Sequence, residues 1–313
     1  MKRKFKILLS VVLMTFGGLI LYSLIIMVQS MTATPNVENN WLSTLNSYRQ
    51  SSGVNPVKEN LRYTLASQHH ADYLAMTATD FQVGKYQNLH KENPESPYFS
   101  RDGATLGAGV ISWTEGKYAS AVDQLMAAPF HAIGMLRENL SEVGFGTAIA
   151  GEKAYSPNTR VTNISVLSGL RNRPRSKVIF FPGPNSTTHL NSFPGENPEP
   201  REACGTSFKN FYGLPIFASL LHRPSENLTA RIQQPNGKTL ARGSDLCIVT
   251  EKNFVSTDAT YGPAGKSIIR SENLVLIIPK SPLAEGRYEV EIEEPGRPLV
   301  KWSFTYKAPE LKF

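Results

Sequence analysis

An uncharged apolar run from Ile7 to Val28 constrains this chain more than any other stretch. It is 22 residues long, and a helix of that length rises about 33 Å, which matches the hydrocarbon thickness of a bilayer. Lys2, Arg3, Lys4 and Lys6 precede the run and are expected to stay on the cytoplasmic side, so that the rest of the chain faces outward. A cleavable signal has a shorter apolar core of about 7–15 residues. Residues 1–30 are therefore read as a retained single-pass membrane anchor, and a cut near Ala33 would instead release a secreted form.

The net charge of +7 invites a nucleic-acid reading, but four of those charges belong to the anchor and the remainder carries +3. No basic run interleaved with aromatics follows, so no nucleic-acid partner is expected. The two cysteines, Cys204 and Cys247, fall in the part expected to lie outside the cytoplasm. An oxidising compartment favours a disulfide between them over two buried thiols. Such a bridge would close a loop of about 44 residues and contribute about 4 kcal/mol on the chain-entropy argument.

Beyond the anchor the length suits two domains. Five prolines punctuate residues 182–200, and 183–200 is read as a linker between a domain at 40–182 and another at 201–313. The first opens with helical periodicity. One helix is expected to be capped by Asn40, to carry the stripe Trp41, Leu42, Leu45 and Tyr48 and to be ended by Ser51, Ser52 and Gly53. A second runs from about Asn60 to Ala78 with Leu61, Leu65, His69, Tyr73 and Met76 on one face. Residues 81–109 read as loops. Ser120 and Asp123 form a capping pair for a helix ending near Ala128. Strands are expected at Val143–Ile149, Val161–Leu167 and Lys177–Phe181. The second domain shows seven short strands, near 214–221, 228–233, 239–241, 245–249, 274–279, 287–292 and 300–306, with no helical pattern between them. Asn236-Gly237 marks a hairpin turn. That spacing predicts an all-β immunoglobulin-like sandwich, and its ending from Pro282 to Tyr306 is similar to the last strands of bacterial modules of that kind.

His90 and His131 sit in irregular or proline-marked stretches, where cleft residues are expected. Glu92, Glu115 and Glu142 are the acids read as their neighbours. Two imidazoles with a carboxylate suit a divalent metal, zinc or calcium, with a position left for water or ligand. Two histidines hydrogen-bonded to backbone in a polar cleft are the plainer reading of the same residues. His69 reads as a core residue, His70 as its flank, and His189 and His222 as lying outside the cleft domain.

The segment AVDQLMAAPFHAIGMLRENLSEVGFG, Ala121 to Gly146, together with Trp41 to Met76, resembles bacterial members of the CAP superfamily, the SCP-like domains. The resemblance covers about residues 40–182. It implies a three-layer α-β-α sandwich, an α+β fold, with a cleft lined by two histidines and two acids. Carried over, the histidines are His90 and His131. Most members have a Gly-Glu-Asn motif between the two histidines, and here that region reads LGAGVISW, Leu106 to Trp113, without a carboxylate. A literal Gly-Glu-Asn at Gly195–Asn197 follows His131 within the proline-rich segment and is read as coincidence.

The expected function is an outward-facing, membrane-tethered CAP-domain protein whose cleft binds a divalent metal or small ligand without turnover. A metal- or histidine-dependent hydrolase of cell-wall or other extracellular polymer is one alternative. An adhesive or structural surface protein is the other. No serine nucleophile has the strand-turn-helix context a serine hydrolase needs.

Overall fold

In a computed structural model of the chain, residues 40–309 are described apart from 108, 115–119, 206–207, 209 and 244. The anchor read at Ile7–Val28 and the candidate acid Glu115 lie outside the described residues. No described helix is long and apolar enough to cross a membrane.

The described residues from Asn40 onward form one compact unit. Its first layer is helical. Helix α1, Trp41–Ser51, is followed by a short strand β1, Lys58–Glu59, and by α2, Leu61–Met76. Asn60 caps α2, its side-chain oxygen accepting from the amides of Arg62 and Tyr63. The face α2 buries differs from the one its large apolar residues predict. Leu61, Leu65 and Met76 are exposed, Leu61 by 78%, while Ala66, Ser67, His70, Ala71, Tyr73, Leu74 and Ala75 are buried. The cause lies across the interface, on strand β3, Glu142–Ile149. A Cβ added at Gly144 would overlap the Tyr63 and Thr64 backbone, and one at Gly146 the Ser67 and Gln68 backbone. Helix and strand thus touch main chain to main chain, which requires small residues on the helix and glycine on the strand.

Next come α3, Arg101–Leu106, and β2, Gly109–Thr114, within a region whose start was read as loop. Ser120 accepts from the Asp123 amide and opens α4, Ala121–Ala127, as the capping pair predicts. Pro129 then starts a separate helix, α5, Pro129–Leu136, occupying a first-turn position where its missing N–H costs nothing. With β4, Arg160–Ser165, the first sheet has the order β1-β3-β4-β2.

The third strand expected for this sheet belongs elsewhere. Strand β5, Ile179–Phe181, pairs antiparallel with β7, Ile216–Ser219. They form a second sheet with β10, Leu246–Val249, and β11, Leu274–Pro279, in the order β10-β11-β7-β5. A third sheet joins β6, Thr187–Thr188, β13, Val300–Tyr306, β12, Gly286–Glu293, β8, Thr229–Gln233, and β9, Thr239–Ala241, in that order. All seven strands read in the C-terminal part are present. The β8–β9 turn has Gly237 at φ 83°, the left-handed conformation that the Asn-Gly pair predicts. A helix absent from the sequence reading, α6, Gly262–Ser271, lies between β10 and β11. The disulfide expected between Cys204 and Cys247 is formed.

One core cluster runs from α1, α4 and α5 into the second and third sheets, while buried residues of α2 pack with Ile111 and Val161 in a smaller cluster of their own. Phe130 of α5 meets Phe254 edge-on at 5.8 Å, Phe181 meets Phe217 at 5.4 Å, and both pairs belong to one continuous buried cluster. The segment read as a linker, 183–200, is packed within this unit. It pairs through β6 with β13, and an added Cβ at Gly183 would overlap Ser51 of α1.

Candidate functional site

His90 and His131 line the same cavity, of about 400 Å³, together with Ser112, Trp113, Gln124, Tyr155, Glu196, Asn197 and Tyr261. The two histidines, Asn197 and Tyr261 also wall a second, more apolar cavity of about 370 Å³.

His131 stands in the first turn of α5, and its Nδ1 is 2.8 Å from the Glu196 carboxylate. The same carboxylate accepts from the Phe130 amide at 3.0 Å. An anion at a helix N-terminus is favoured by the free amides and the dipole there. With Nδ1–H donating to Glu196, the Nε2 lone pair of His131 is left for the cleft. The Glu196 side chain is almost fully buried, and burial pushes its carboxyl above the usual range against the pull of His131 and the Phe130 amide.

Glu196 lies in Gly195-Glu196-Asn197, and against the expectation from sequence that this tripeptide has no part in the site, its acid sits on His131. The chain returns from the third sheet's edge along 183–200 and inserts this acid beside His131. Helix α6 supports the arrangement. At Gly265 a Cβ would meet Pro198 at 2.5 Å, Phe254 at 3.0 Å and Phe130 at 3.3 Å, so only glycine lets the helix lie against both α5 and the returning segment.

His90 is positioned from three sides. Two residues on, Glu92 is buried, its carboxylate 2.9 Å from His70 Nδ1 and accepting from the Ser100 amide at 2.9 Å. His70 Nε2 faces the Leu89 carbonyl at 3.0 Å. The Leu89 amide donates to the Tyr261 hydroxyl at 2.8 Å, and the Tyr261 ring meets His90 edge-on at 6.0 Å. Burial, with His131 and His70 nearby, pushes the His90 pKa down to about 3. His90 is therefore neutral at physiological pH, with a lone pair to offer.

The acids proposed from sequence thus divide. Glu92 is spent on His70 and Ser100. Glu142 begins β3 and pairs with Arg171 at 2.7 Å, and it is not among the residues lining the cleft. His70 is a partnered core residue rather than a flank. His222 pairs with Glu294 at 2.6 Å in the C-terminal part. Sequence reasoning missed Glu196 and Tyr261. A literal motif pointed to the first, and nothing local pointed to the second.

Away from the cleft, Tyr48, Asp123 and His189 fasten α1, α4 and the returning segment together. The Tyr48 hydroxyl donates to Asp123 at 2.6 Å, and His189 Nε2 is 3.1 Å from the same carboxylate. The hydrogen bond to Asp123 raises the His189 pKa against partial burial. A raised histidine pKa stabilises the fold fully below the unfolded value, about 6.5, and that contribution is lost as pH rises through the folded value. Thermal melts should show His189→Gln less stable than wild type at pH 6, by no more than about 1 kcal/mol because water screens a half-exposed pair. The difference should shrink toward pH 9, and a pH-independent difference would contradict the assignment.

Residues 42–166 match the family model described as CAP: Cysteine-rich secretory protein family. The chain therefore carries a CAP domain, formed by α1 to α5 and the first sheet. Among curated proteins, none matches the chain significantly. Glu196, Asn197 and Tyr261 all lie beyond the matched residues, so the cleft of this CAP domain is completed by chain outside it.

Proposed function

We infer that the cleft is a binding site for a divalent cation of the zinc type, held by His90 and His131, in a protein that binds rather than turns over its ligand. The single observation carrying this is that two imidazoles share one cavity, one of them oriented by a buried carboxylate through its other nitrogen. A carboxylate behind a metal-binding histidine fixes the ring and raises its basicity. Nitrogen donors suit zinc, whereas calcium takes oxygen ligands. The carboxylates nearest the histidines, Glu92 and Glu196, are engaged by protein hydrogen bonds.

Among the described residues no group of three or more His, Cys, Asp or Glu is placed to hold an ion. The two imidazoles fit a weakly held metal whose remaining positions fall to water or a bound ligand. Such a metal would act as a Lewis acid toward that ligand. A hydrolase would need a free base beside the bound water, and the engaged carboxylates weigh against that reading.

The bacterial type, the retained anchor at Ile7–Val28 and the outward-facing body are parts of the same proposal, supported by the basic residues ahead of the apolar run and by agreement with a bridged Cys204–Cys247 pair. The two-sheet C-terminal part, read as immunoglobulin-like, serves in this proposal as the wall of the cleft. Calorimetric titration of the full-length chain with zinc tests the metal. The wild type should take up one ion and the His90→Ala/His131→Ala double variant none. Glu196→Gln should bind about 10- to 100-fold more weakly. Equal uptake by wild type and double variant would remove the reading.

A further inference from the structure

We propose that the 400 Å³ cavity beside His90 and His131 takes the ring of a neutral sugar, a unit of an uncharged oligosaccharide. The proposal rests on the reading of the cleft as a binding site and names its ligand class. Three observations outside the histidine pair carry it.

The first is the floor. Ser112 is 5% exposed, and its hydroxyl has no hydrogen-bond partner among the described residues. The side-chain oxygen of Gln124 is likewise buried without a partner, although its amide nitrogen donates to the Trp113 carbonyl at 3.1 Å. Buried polar atoms are nearly always paired. An unpaired hydroxyl and an unpaired amide oxygen on two residues that line one cavity ask for a ligand that both donates and accepts, as adjacent sugar hydroxyls do.

The second is the wall. Trp113 and Tyr155 stand 5.7 Å apart at a tilt of 46°, and Tyr155 is 54% exposed. Both rings line the cavity, Trp113 half-buried and Tyr155 exposed, and they offer apolar surface to a ligand with an apolar face of its own, of which the C–H face of a pyranose ring is one.

The third is charge. Besides the two histidines, the polar side chains of the described residues lining the cavity are amides and hydroxyls, and the one carboxylate, Glu196, is consumed by His131 and Phe130. Without a metal on the histidines, no described side chain lining the cavity is placed to pair with a sulfate, a uronate or an ammonium group. Burying such a charge without a partner is costly, so in the metal-free protein the site selects against charged polymers.

Calorimetry on the full-length chain, held in a zwitterionic detergent without a sugar headgroup, tests this. The ligands are tetramers of glucose and of N-acetylglucosamine, a galacturonate tetramer, a glucosamine tetramer and an uncharged tetrapeptide. On metal-free protein at least one neutral tetramer should bind, with the charged ones at least tenfold weaker. Ser112→Ala and Tyr155→Ala should each weaken neutral-sugar binding about tenfold. The melting temperature should hold, because Ser112 loses no protein hydrogen bond and Tyr155 is largely exposed. Absence of neutral-sugar binding would overturn the proposal, as would binding unchanged in both variants. Tetrapeptide binding that depends on Ser112 and Tyr155, without sugar binding, would overturn it in favour of a peptide site. Zinc uptake measured on the same samples separates the two readings. Uptake retained while sugars fail sinks the sugar alone, and loss of both sinks the cleft as a binding site.

Discussion

A chain stopped after Pro182 is expected not to fold cooperatively, although it holds every strand of the CAP domain's sheet. Strand β5 would lose its partner β7, and Phe130, Phe181 and Tyr48 would lose Phe254, Phe217 and the returning segment. Each buried aromatic side chain left facing water costs about 2 kcal/mol or more, against a net stability of only about 5–15 kcal/mol for a domain. The Arg137–Glu272 pair at 2.9 Å and the Trp302 indole hydrogen bond to the Pro182 carbonyl would go as well. The cleft itself would lose Glu196, Asn197 and Tyr261. Near-ultraviolet circular dichroism and thermal melts should show no fixed aromatic packing and no sharp transition, beside a cooperative melt for the chain running to Phe313. A cooperative transition in the short chain would show that the CAP domain is self-sufficient. For the same reason, deleting residues 201–313 would not isolate the role of the C-terminal sheets, because it would remove part of the cleft.

Arg49→Met is expected to cost about 3–5 kcal/mol, near the top of what single substitutions do. Arg49 is fully buried, and burial pushes its pKa down to about 10, so it remains charged at neutral pH. Its guanidinium donates to the carbonyls of Asn55, Met135, Arg137 and Leu140. No acid pairs with it among the described residues. Met135 and Arg137 lie at the C-terminal end of α5, where carbonyls lack helical partners and a cation is favoured by the dipole. Methionine would replace the aliphatic stem but not the guanidinium, and would leave these carbonyls unsatisfied in the core. The loss should lower the melting temperature by roughly 10 °C, since about 1 kcal/mol shifts a large domain by 2–4 °C. Because His131 stands at the other end of α5, zinc affinity should fall with it. A melting temperature within a degree or two of wild type would show that the cation is not needed there.

Local chemistry made much of the fold legible. The Ser120–Asp123 capping pair, the Asn236-Gly237 turn and the period-two strands each act through neighbours a few residues away, and each element formed where those signals placed it, whereas Asn40, the cap expected for α1, makes no side-chain cap. Helix α6 was missed because glycines at 262 and 265 and a proline at 263 are poor helix formers. It is held by the sites where Gly265 and Ile269 pack. The buried face of α2 was misread because size was taken as the guide to burial. The close approach of Gly144 and Gly146 reverses that guide, admitting only small side chains.

For the site, sequence alone determined the residue types and the CAP domain: two histidines in the order the CAP resemblance requires, and a match over 42–166. Which acid serves which histidine was decided by tertiary structure. Glu92, two residues from His90, turned to His70, and Glu196, 65 residues from His131, turned to it instead. A hydrogen bond depends on where two groups end up in space, and sequence distance says little about that once the chain doubles back. The apolar run at Ile7–Val28 belongs to the other kind of feature, since its length and lack of charge are properties of the segment itself.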